Sequence, residues 1–308
     1  MAIRIVTADE RLRVAGTRTT IFLVGEYAVG KTSLLYTLPA ETTLALDFEG
    51  GFKSVSTWKG DSIHIRAWMD AVNLACYIGG PDPAVTDPND FYSQAHYNMC
   101  VGLYGWPNGT EAPINLDKYK TIWFDSISDL TIAAKMRARE KNIMFDKKNG
   151  TQLFERNGDV MIDNRGMYGD IANDVMTLVR HMQHCEGKNI IWVGKLELVT
   201  DEFKRQTWEP QLEGQKIRRE LPFVVDQVVT MGFFDWSENL GWQHNPNGKG
   251  AHRVFVCQRT NPWGLPAKER TLGNLEMIEE PHLGKLLEKI NAPAKAEAEA
   301  ALKFSVAR

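Results

Sequence analysis

One glycine-rich segment constrains the fold of this chain more than any other feature. Residues Gly25–Thr32 read Gly-Glu-Tyr-Ala-Val-Gly-Lys-Thr and match the pattern G-x-x-x-x-G-K-[ST] in full. An apolar, β-branched run, Thr20–Val24, precedes the segment, and a helical pattern follows it until Pro39. A strand, a tight turn and a helix in this order predict a loop that wraps phosphate groups, because its N–H groups and the helix N-terminus bind anionic oxygens.

The pattern also predicts roles for individual residues of this loop. Gly30 lets the backbone approach a ligand closely, Lys31 reaches β- and γ-phosphates, and the Thr32 hydroxyl ligates Mg²⁺. These roles indicate ATP with Mg²⁺ as the ligand. The predicted nucleotide-binding residues of the loop are Gly25, Glu26, Tyr27, Ala28, Val29, Gly30, Lys31, Thr32 and Ser33.

Apolar runs alternate with helical periodicities along the rest of the chain. This alternation predicts an α/β fold with a doubly wound, mainly parallel sheet and helices on both faces. Further strands are expected at Thr42–Asp47, Ser62–Ala67, Thr121–Asp125, Asn189–Val193, Asp226–Met231 and Arg253–Cys257. Helices are expected at Asn89–Val101, Ile127–Ala138, Ile171–Met182 and Leu283–Ile290.

Two acids follow predicted strands and are candidates for chemistry. Asp125 ends its strand, where a carboxylate can hold the water shell of Mg²⁺; a helix N-cap is the alternative. Glu49 follows the second strand, where a carboxylate can orient and deprotonate an attacking water; a surface acid in a turn is the alternative. Asp47 competes with Glu49, but it lies nearer the strand and is expected to be structural.

Composition and length narrow the remaining possibilities. The net charge of −3 indicates no global basic surface for nucleic acid. The N-terminus has no signal-peptide core, and no apolar run approaches the roughly 18 residues of a membrane helix, so we expect a cytoplasmic protein without a membrane partner.

A single domain is expected over residues 1–291, with loop insertions near 79–118, 139–165 and 196–221 and an Ala/Glu/Lys-rich tail over 292–308.

The cysteines are scattered along the chain without a CxxC pair. This spacing indicates reduced, mostly buried thiols rather than a disulfide framework or a zinc site. They are Cys76, Cys100, Cys185 and Cys257.

The order of the motifs resembles that of the RecA-like ATPases. The phosphate loop is followed by Asp47-Phe48-Glu49-Gly50-Gly51 after the second strand, and later by an apolar strand that ends in Asp125-Ser126. Short phage-encoded RecA-core ATPases that act as single-strand annealing proteins carry similar segments. The resemblance extends from Thr20 to Leu272 and implies a RecA-like P-loop NTPase core.

The resemblance also implies catalytic roles. Glu49 corresponds to the catalytic glutamate of these ATPases. Lys268 and Arg270, in the segment Ala-Lys-Glu-Arg, resemble the Lys-x-Arg finger that DnaB-type helicases insert into the ATP site of a neighbouring subunit; a solvated turn is the alternative. A cation supplied in this way neutralises charge on the transferred phosphoryl group. The implied assembly is therefore a head-to-tail ring or filament.

One position departs from the RecA pattern. RecA proteins usually carry a polar sensor such as Gln after the fourth strand, where this chain has Gly194-Lys195. Lys195 could touch a γ-phosphate as a point charge, or it could be a solvated loop lysine.

Two basic stretches match the positions at which RecA-like proteins hold DNA. They combine cations with aromatic residues such as Phe145, Phe154, Phe203 and Trp208, which is typical of single-strand binding, although a charge run can also be a solvated surface. The candidate DNA contacts are Lys147, Lys148, Arg156, Lys204, Arg205, Lys216, Arg218 and Arg219.

These features predict an oligomeric ATPase that acts on single-stranded DNA in phage-type recombination or strand annealing, with a single-strand-binding protein as a further partner. Two alternatives stay open: a hexameric motor of the helicase or packaging type, and a scaffold that binds nucleotide in order to assemble but hydrolyses little of it.

Overall fold

The computed structural model describes residue 7 and residues 18–105, 115–148, 150–248, 250–271 and 273–292. The tail predicted for 292–308 lies outside the described residues beyond position 292, and so does the middle of the insertion predicted near 79–118.

A single sheet organises the described residues. Its hydrogen-bonded order is β10-β9-β7-β1-β5-β4-β2-β3, with β6 paired to β5 and β8 paired to β7. The six strands β7, β1, β5, β4, β2 and β3 run parallel, and the other pairings are antiparallel. The strands are β1 (Thr20–Gly25), β2 (Thr43–Asp47), β3 (Asp61–His64), β4 (Thr121–Asp125), β5 (Asn189–Thr200), β6 (Gln206–Pro210), β7 (Gln227–Ser237), β8 (Gly241–His244), β9 (His252–Val256) and β10 (Ile278–Glu279).

Helices cover both faces of this sheet. The α-helices are α1 (Trp68–Gly79), α2 (Gln94–Cys100), α3 (Ile127–Lys141), α4 (Asn164–Gln183), α5 (Gln215–Val224) and α6 (Leu283–Asn291), and 3-10 helices lie at Thr32–Thr37, Ala40–Thr42, Phe52–Val55 and Leu116–Lys118. A short π-helix follows α2 at Val101–Gly105. None of the helices that the structure describes is both long and apolar enough to cross a bilayer.

The side-chain alternation of the strands explains the two layers. Phe22 and Val24 of β1 point into one core cluster, which contains the buried residues of α1 to α5. Ile21 and Leu23 point into the other cluster, with the 3-10 helix after the phosphate loop and with α6. Because the central parallel strands are buried on both faces, their sequences are continuous apolar runs. The doubly wound fold predicted from the sequence is confirmed.

Several local expectations need correction. The helix expected after the phosphate loop is a 3-10 helix, whose last turn closes on Leu35 before Pro39. The loop insertion expected near 139–165 instead pairs with itself through isolated bridges between α3 and α4. The insertion expected at 196–221 is mostly regular, because β5 continues to Thr200, turns into β6 and leads to α5.

Gly194 tests how tightly the sheet is packed at the centre. A Cβ at this position would lie 2.7 Å from Cε2 of the fully buried Phe22 ring. Gly194→Ala should therefore lower the free energy of unfolding by about 1–3 kcal/mol. Gly169→Ala on exposed α4 is the matched control, because its Cβ would meet nothing within 4 Å, and it should stabilise by about 0.5–1 kcal/mol. Urea unfolding of both variants measures the difference, and equal effects would contradict the packing argument.

Candidate functional site

The predicted phosphate loop leaves the carboxyl end of β1. Its backbone geometry requires glycine at two positions. A Cβ on Gly25 would lie 2.6 Å from the carbonyl oxygen of Met231, and Gly30 has a φ of +97°. Ala28 also has a positive φ, 58°. The loop is thus held in a tight turn, as an anion-binding nest requires.

The Lys31 ammonium lies inside the turn of this loop. It donates hydrogen bonds to the carbonyl oxygens of Gly25 at 2.7 Å and Glu26 at 2.8 Å. Burial lowers the pKa of Lys31 to about 8, although the nearby charges of Asp125 and Glu49 raise it. A buried ammonium that donates to carbonyl oxygens is stabilised further when an anion enters the loop.

Asp125 and Thr32 meet at the predicted metal position. The Thr32 hydroxyl donates to Oδ2 of Asp125 at 2.8 Å, and the Trp123 indole N–H lies 3.3 Å from the same oxygen. Burial raises the pKa of the Asp125 carboxyl, and the charge of Glu49 raises it further, against these two hydrogen bonds. Asp125 is not the N-cap of α3; Ser126 accepts the N–H of Asp129 there.

A turn after β2 places Glu49 over the same region. Oδ1 of Asp47 accepts the backbone N–H groups of Glu49, Gly50 and Gly51 at 2.8–3.3 Å. Its other oxygen lies 3.5 Å from Nδ1 of His64 on the edge strand β3. Asp47 therefore fixes the turn, while the Glu49 carboxylate is free to reach into the cavity.

Lys195 connects Glu49 with the start of α3. Its ammonium lies 3.2 Å from Oε1 of Glu49 and 3.1 Å from Oδ2 of Asp129, and Ser126 donates to Asp129. Burial opposes the charge of Lys195, but the bonds to Asp129 and Glu49 outweigh it and raise the pKa of Lys195. Lys195 is thus held at the site by two carboxylates. Asp129 was not predicted from the sequence. It is the third residue of a helix, where an acid is commonly found because it stabilises the helix N-terminus.

Arg253 is a second cation that the sequence analysis missed. It lies on β9, and its guanidinium atoms Cζ and Nη1 are 3.3 Å from the position of a Cβ on Gly30. The guanidinium also lies over the Phe233 ring, 5.8 Å from its centroid. Strand alternation places Arg253 on the same face as the buried Phe255, but its proximity to the loop depends on the strand order β1-β7-β9, which periodicity does not reveal.

These side chains line one cavity of about 610 Å³. Of the predicted nucleotide-binding residues, Tyr27, Ala28, Gly30, Lys31, Thr32, Ser33 and Lys195 line it, together with Glu49, Asp125 and Arg253. Gly25 and Glu26 contribute carbonyl oxygens to Lys31, and Val29 packs in the core. The Glu26 carboxylate turns away and lies 3.4 Å from Nε2 of His244, whose pKa is lowered by burial.

The donor set of the cavity fits a nucleoside triphosphate with Mg²⁺. N–H groups at a nest, a buried ammonium and an arginine supply positive charge for phosphate oxygens. A hydroxyl beside a buried carboxylate is an all-oxygen donor pair suited to Mg²⁺, and the raised pKa of Asp125 reflects a carboxylate that a cation would stabilise. A larger cavity of about 1110 Å³, lined by Tyr77, His181 and Lys188 among others, contains no residue of the phosphate loop.

Lys268 and Arg270 lie away from the cavity of their own chain. Lys268 donates to the carbonyl oxygens of Pro222 at 2.7 Å and Val225 at 2.6 Å, at the end of α5, and its backbone pairs with Val228 near the start of β7. Arg270 donates to the Phe223 carbonyl at 2.9 Å. Burial lowers the pKa of Lys268 to about 8, and the charge of Arg270 lowers it further. Within one chain, both cations cap a helix.

The candidate DNA contacts lie in three places. Lys147, Lys148 and Arg156 lie in turns of the paired segment between α3 and α4, and they form no ion pair with a described carboxylate. Lys204 and Arg205 lie at the tip of the β5–β6 hairpin, where Arg205 pairs with Asp201 at 2.8 Å. On α5, Arg218 pairs with Glu209 at 2.9 Å and Lys216 lies 3.9 Å from Glu220, whereas Arg219 has no such pair among the described residues.

The fold and this site have the arrangement of a RecA-like P-loop α/β core. A phosphate loop follows β1, an acid ends β4, and β5 with Lys195 lies between these strands. Residues 17–271 match the family model described as an AAA domain, which is most of the chain, so the chain belongs to the AAA domain family.

Other comparisons add little to this assignment. A search of curated proteins finds no match. The crystal structure of the RadB recombinase aligns over 87% of this chain and 91% of that chain, with 12% sequence identity and a TM-score of 0.33. A similarity this low supports no further argument.

The lowered pKa of Lys31 predicts a proton linkage to nucleotide binding. Phosphate groups favour the charged ammonium, so the pKa of Lys31 should rise in the complex. Near and above pH 8 binding should therefore take up a proton, and affinity should fall as pH rises through this range, by at most about tenfold per pH unit.

Calorimetry of ATP binding in buffers of different ionisation enthalpy measures this uptake. Lys31→Arg is the control, because arginine stays protonated at these pH values and should abolish the linkage. Proton uptake that persists in Lys31→Arg would assign the titration to another group.

Proposed function

We propose that this chain hydrolyses ATP at the cavity beside the phosphate loop and couples turnover to binding of single-stranded DNA, in strand recombination or annealing. The observation that supports hydrolysis is the convergence of Lys31, Thr32, Asp125 and Glu49 on one cavity from three different strand ends. Mg²⁺ bound by Thr32 and Asp125 would offset negative charge on the phosphate oxygens.

Glu49 is the proposed general base. Its carboxylate is 45% exposed and faces the cavity, where it can accept a proton from an attacking water. Without nucleotide it is paired with Lys195. A γ-phosphate would compete for the Lys195 ammonium and weaken this pair, which would free Glu49 for water. Lys195 thus acts as a γ-phosphate sensor in this proposal.

The Glu49–Lys195 pair also offers a physical basis for the alternative, a scaffold that binds nucleotide but hydrolyses little of it. If the pair persists with ATP bound, the base stays neutralised and the chain binds nucleotide with little turnover. A hexameric motor of helicase or packaging type has no separate observation in its favour.

Glu49→Gln should bind ATP normally and hydrolyse it about 10²- to 10⁴-fold more slowly, because general-base assistance is typically of this size. Glu197→Gln is the matched control, since Glu197 lines the cavity but is absent from the charges that act on Lys31. Single-turnover rates and equilibrium binding should be measured on both variants. Unchanged turnover in Glu49→Gln would assign the base to another group or support the scaffold.

Two sources can supply the cation that stabilises the transferred phosphoryl group. Arg253 lies at the cavity in the same chain, and we propose that it binds the phosphate chain in cis. Lys268 and Arg270 are the proposed trans finger of a head-to-tail neighbour. Since both now bind carbonyl oxygens at the end of α5, this role requires them to leave those bonds in the assembly.

A mixing experiment separates the two sources. Arg253→Ala, Arg270→Ala and Lys31→Ala should each be nearly inactive alone. Mixing Arg270→Ala with Lys31→Ala should restore part of the activity, because some interfaces then combine an intact cavity with an intact finger. Mixing Arg253→Ala with Lys31→Ala should restore none, because Arg253 acts within its own chain.

Oligomers containing both variants must be confirmed in each mixture. Recovery in the Arg253 mixture would show that Arg253 acts in trans, and no recovery in the Arg270 mixture would exclude the trans finger.

Support for DNA binding comes from the two hairpin-like segments. Phe145 and Phe154 are both more than half exposed beside Lys147, Lys148 and Arg156, and Phe203 is 76% exposed at the β5–β6 tip. Exposed aromatic rings stack on bases, and unpaired cations bind phosphates. Strand β5 runs without a break from Lys195 at the cavity to this tip, which offers a direct mechanical connection between nucleotide and DNA.

Charge removal should distinguish the cations between α3 and α4 from those on α5. The triple variant Lys147→Ala, Lys148→Ala and Arg156→Ala should weaken single-strand binding regardless of sequence, and it should reduce the log–log salt slope by about one unit per lost phosphate contact. The matched triple on α5, at Lys216, Arg218 and Arg219, should have a smaller effect, because two of its cations are already near carboxylates. Identical slopes in wild type and the first triple would exclude those residues as phosphate contacts.

A further inference from the structure

Three potential metal ligands meet in the core, away from the phosphate loop. Cys76 lies on α1, and His96 and Cys100 lie four residues apart on one side of α2. One donor atom from each lies within 4.8 Å of the other two. All three residues are buried, and the two cysteines are inaccessible to solvent. The structure thus brings together two sulfur atoms and one imidazole. The residues that carry them are spread over 24 positions of the sequence, from Cys76 to Cys100.

The hydrogen bonds of His96 define its tautomer. Asn73, one turn before Cys76 on α1, places its Oδ1 3.0 Å from Nε2 of His96. The backbone N–H of Tyr92 donates to Nδ1 at 2.9 Å. Nδ1 is therefore the acceptor and Nε2 carries the proton towards Asn73. A neutral imidazole with its N–H bound to a side-chain oxygen is the usual second shell of a metal-ligating histidine.

A second observation points to an incomplete polar site. The hydroxyl of Tyr92 is buried and finds no hydrogen-bond partner among the residues that the structure describes, and the residue as a whole is only 3% exposed. The backbone N–H of this residue donates to His96, and its ring centroid lies 6.1 Å from that of His96, so Tyr92 borders the cluster. An unsatisfied buried hydroxyl in a residue beside the cluster is costly and points to a missing polar partner.

Ligand chemistry and charge define which cation fits. Two sulfurs and one imidazole suit a thiophilic ion, and structural sites of this kind hold Zn²⁺ with Zn–S about 2.3 Å and Zn–N about 2.0–2.1 Å. Two thiolates and a neutral imidazole balance a divalent charge, which matters in a site without solvent. Binding would release the two thiol protons. The Tyr92 N–H, displaced from Nδ1, could then donate to the Cys76 sulfur.

We propose that Cys76, His96 and Cys100 bind Zn²⁺ and thereby tie α1 to α2, with a water molecule in the fourth position. The described residues contribute no fourth cysteine, histidine or carboxylate to this group. The site is independent of the nucleotide cavity. Its proposed role is to hold α1 and α2 together at this point of the core.

Metal binding can be measured on the full chain without reference to ATP turnover. Co²⁺ titrated into reduced, metal-free protein should produce one equivalent of complex with a thiolate-to-metal charge-transfer band, and Zn²⁺ should displace it. Cys100→Ala should abolish the band. Cys257→Ala is the matched control, because it removes an equally buried thiol from the opposite core cluster and should leave the band unchanged. Asn73→Ala should weaken binding by about 10- to 100-fold.

The wild-type spectrum alone can overturn the proposal, so the test does not depend on folding of the variants. Absence of a charge-transfer band in folded wild-type protein would overturn it. So would a band that persists in folded Cys100→Ala, or binding of Cu⁺ without binding of Zn²⁺.

Discussion

The burial of positive charge at the carboxyl end of β1 is the constraint on which the rest of this site depends. Lys31 is held inside the phosphate loop by two carbonyl oxygens, and burial lowers its pKa to about 8. The carboxylates of Asp125 and Glu49 offset part of this cost from neighbouring strand ends. Parallel strands bring these ends together at one edge of the sheet, so the fold and the electrostatics of the site have the same origin.

The ammonium of Lys195 is the second positive charge of the site. Lys195 bridges Glu49 and Asp129, which links the turn after β2 to the first turn of α3. Because β5 carries Lys195 and then continues into the β5–β6 hairpin, a change at the cavity is connected through a single strand to exposed cations and to Phe203. Trp208 of β6 also contacts the His244 ring, which lies beside Glu26 of the phosphate loop. These are contacts between two regions rather than a demonstrated coupling.

Much of the fold could be predicted because the central strands are buried on both faces. Thr121–Asp125 and Thr43–Asp47 are continuous apolar runs that end in acids, which marks both the strand and its functional end. Helix α1 was not predicted, because apolar residues occupy most of its circumference and blur the helical period. The second half of β5 was missed because its side chains beyond Leu196 are only partly buried or exposed and lie among charged residues.

Site residues could be predicted where a sequence motif fixes their spacing. They could not be predicted where tertiary packing brings distant residues together. The loop and Asp125 follow from local patterns, and the turn at Asp47 explains why Glu49, two residues further along the chain, reaches the cavity. The proximity of Arg253 to the phosphate loop depends on the order of the strands in the sheet, which local patterns do not reveal. The four cysteines are free and buried, as expected from the sequence. Cys76 meets His96 and Cys100 only because α1 packs on α2, so their spacing along the chain did not reveal the cluster.

The central claim is that the loop after β1 binds nucleotide through Lys31. Titration of wild-type protein and Lys31→Ala with ATP and Mg²⁺, at pH 7 and with the fold of both checked by circular dichroism, tests it most directly. The account predicts saturable binding to wild type and a loss of most of that affinity in a folded Lys31→Ala variant, because the main phosphate cation is gone. Equal affinity in the two proteins would contradict it.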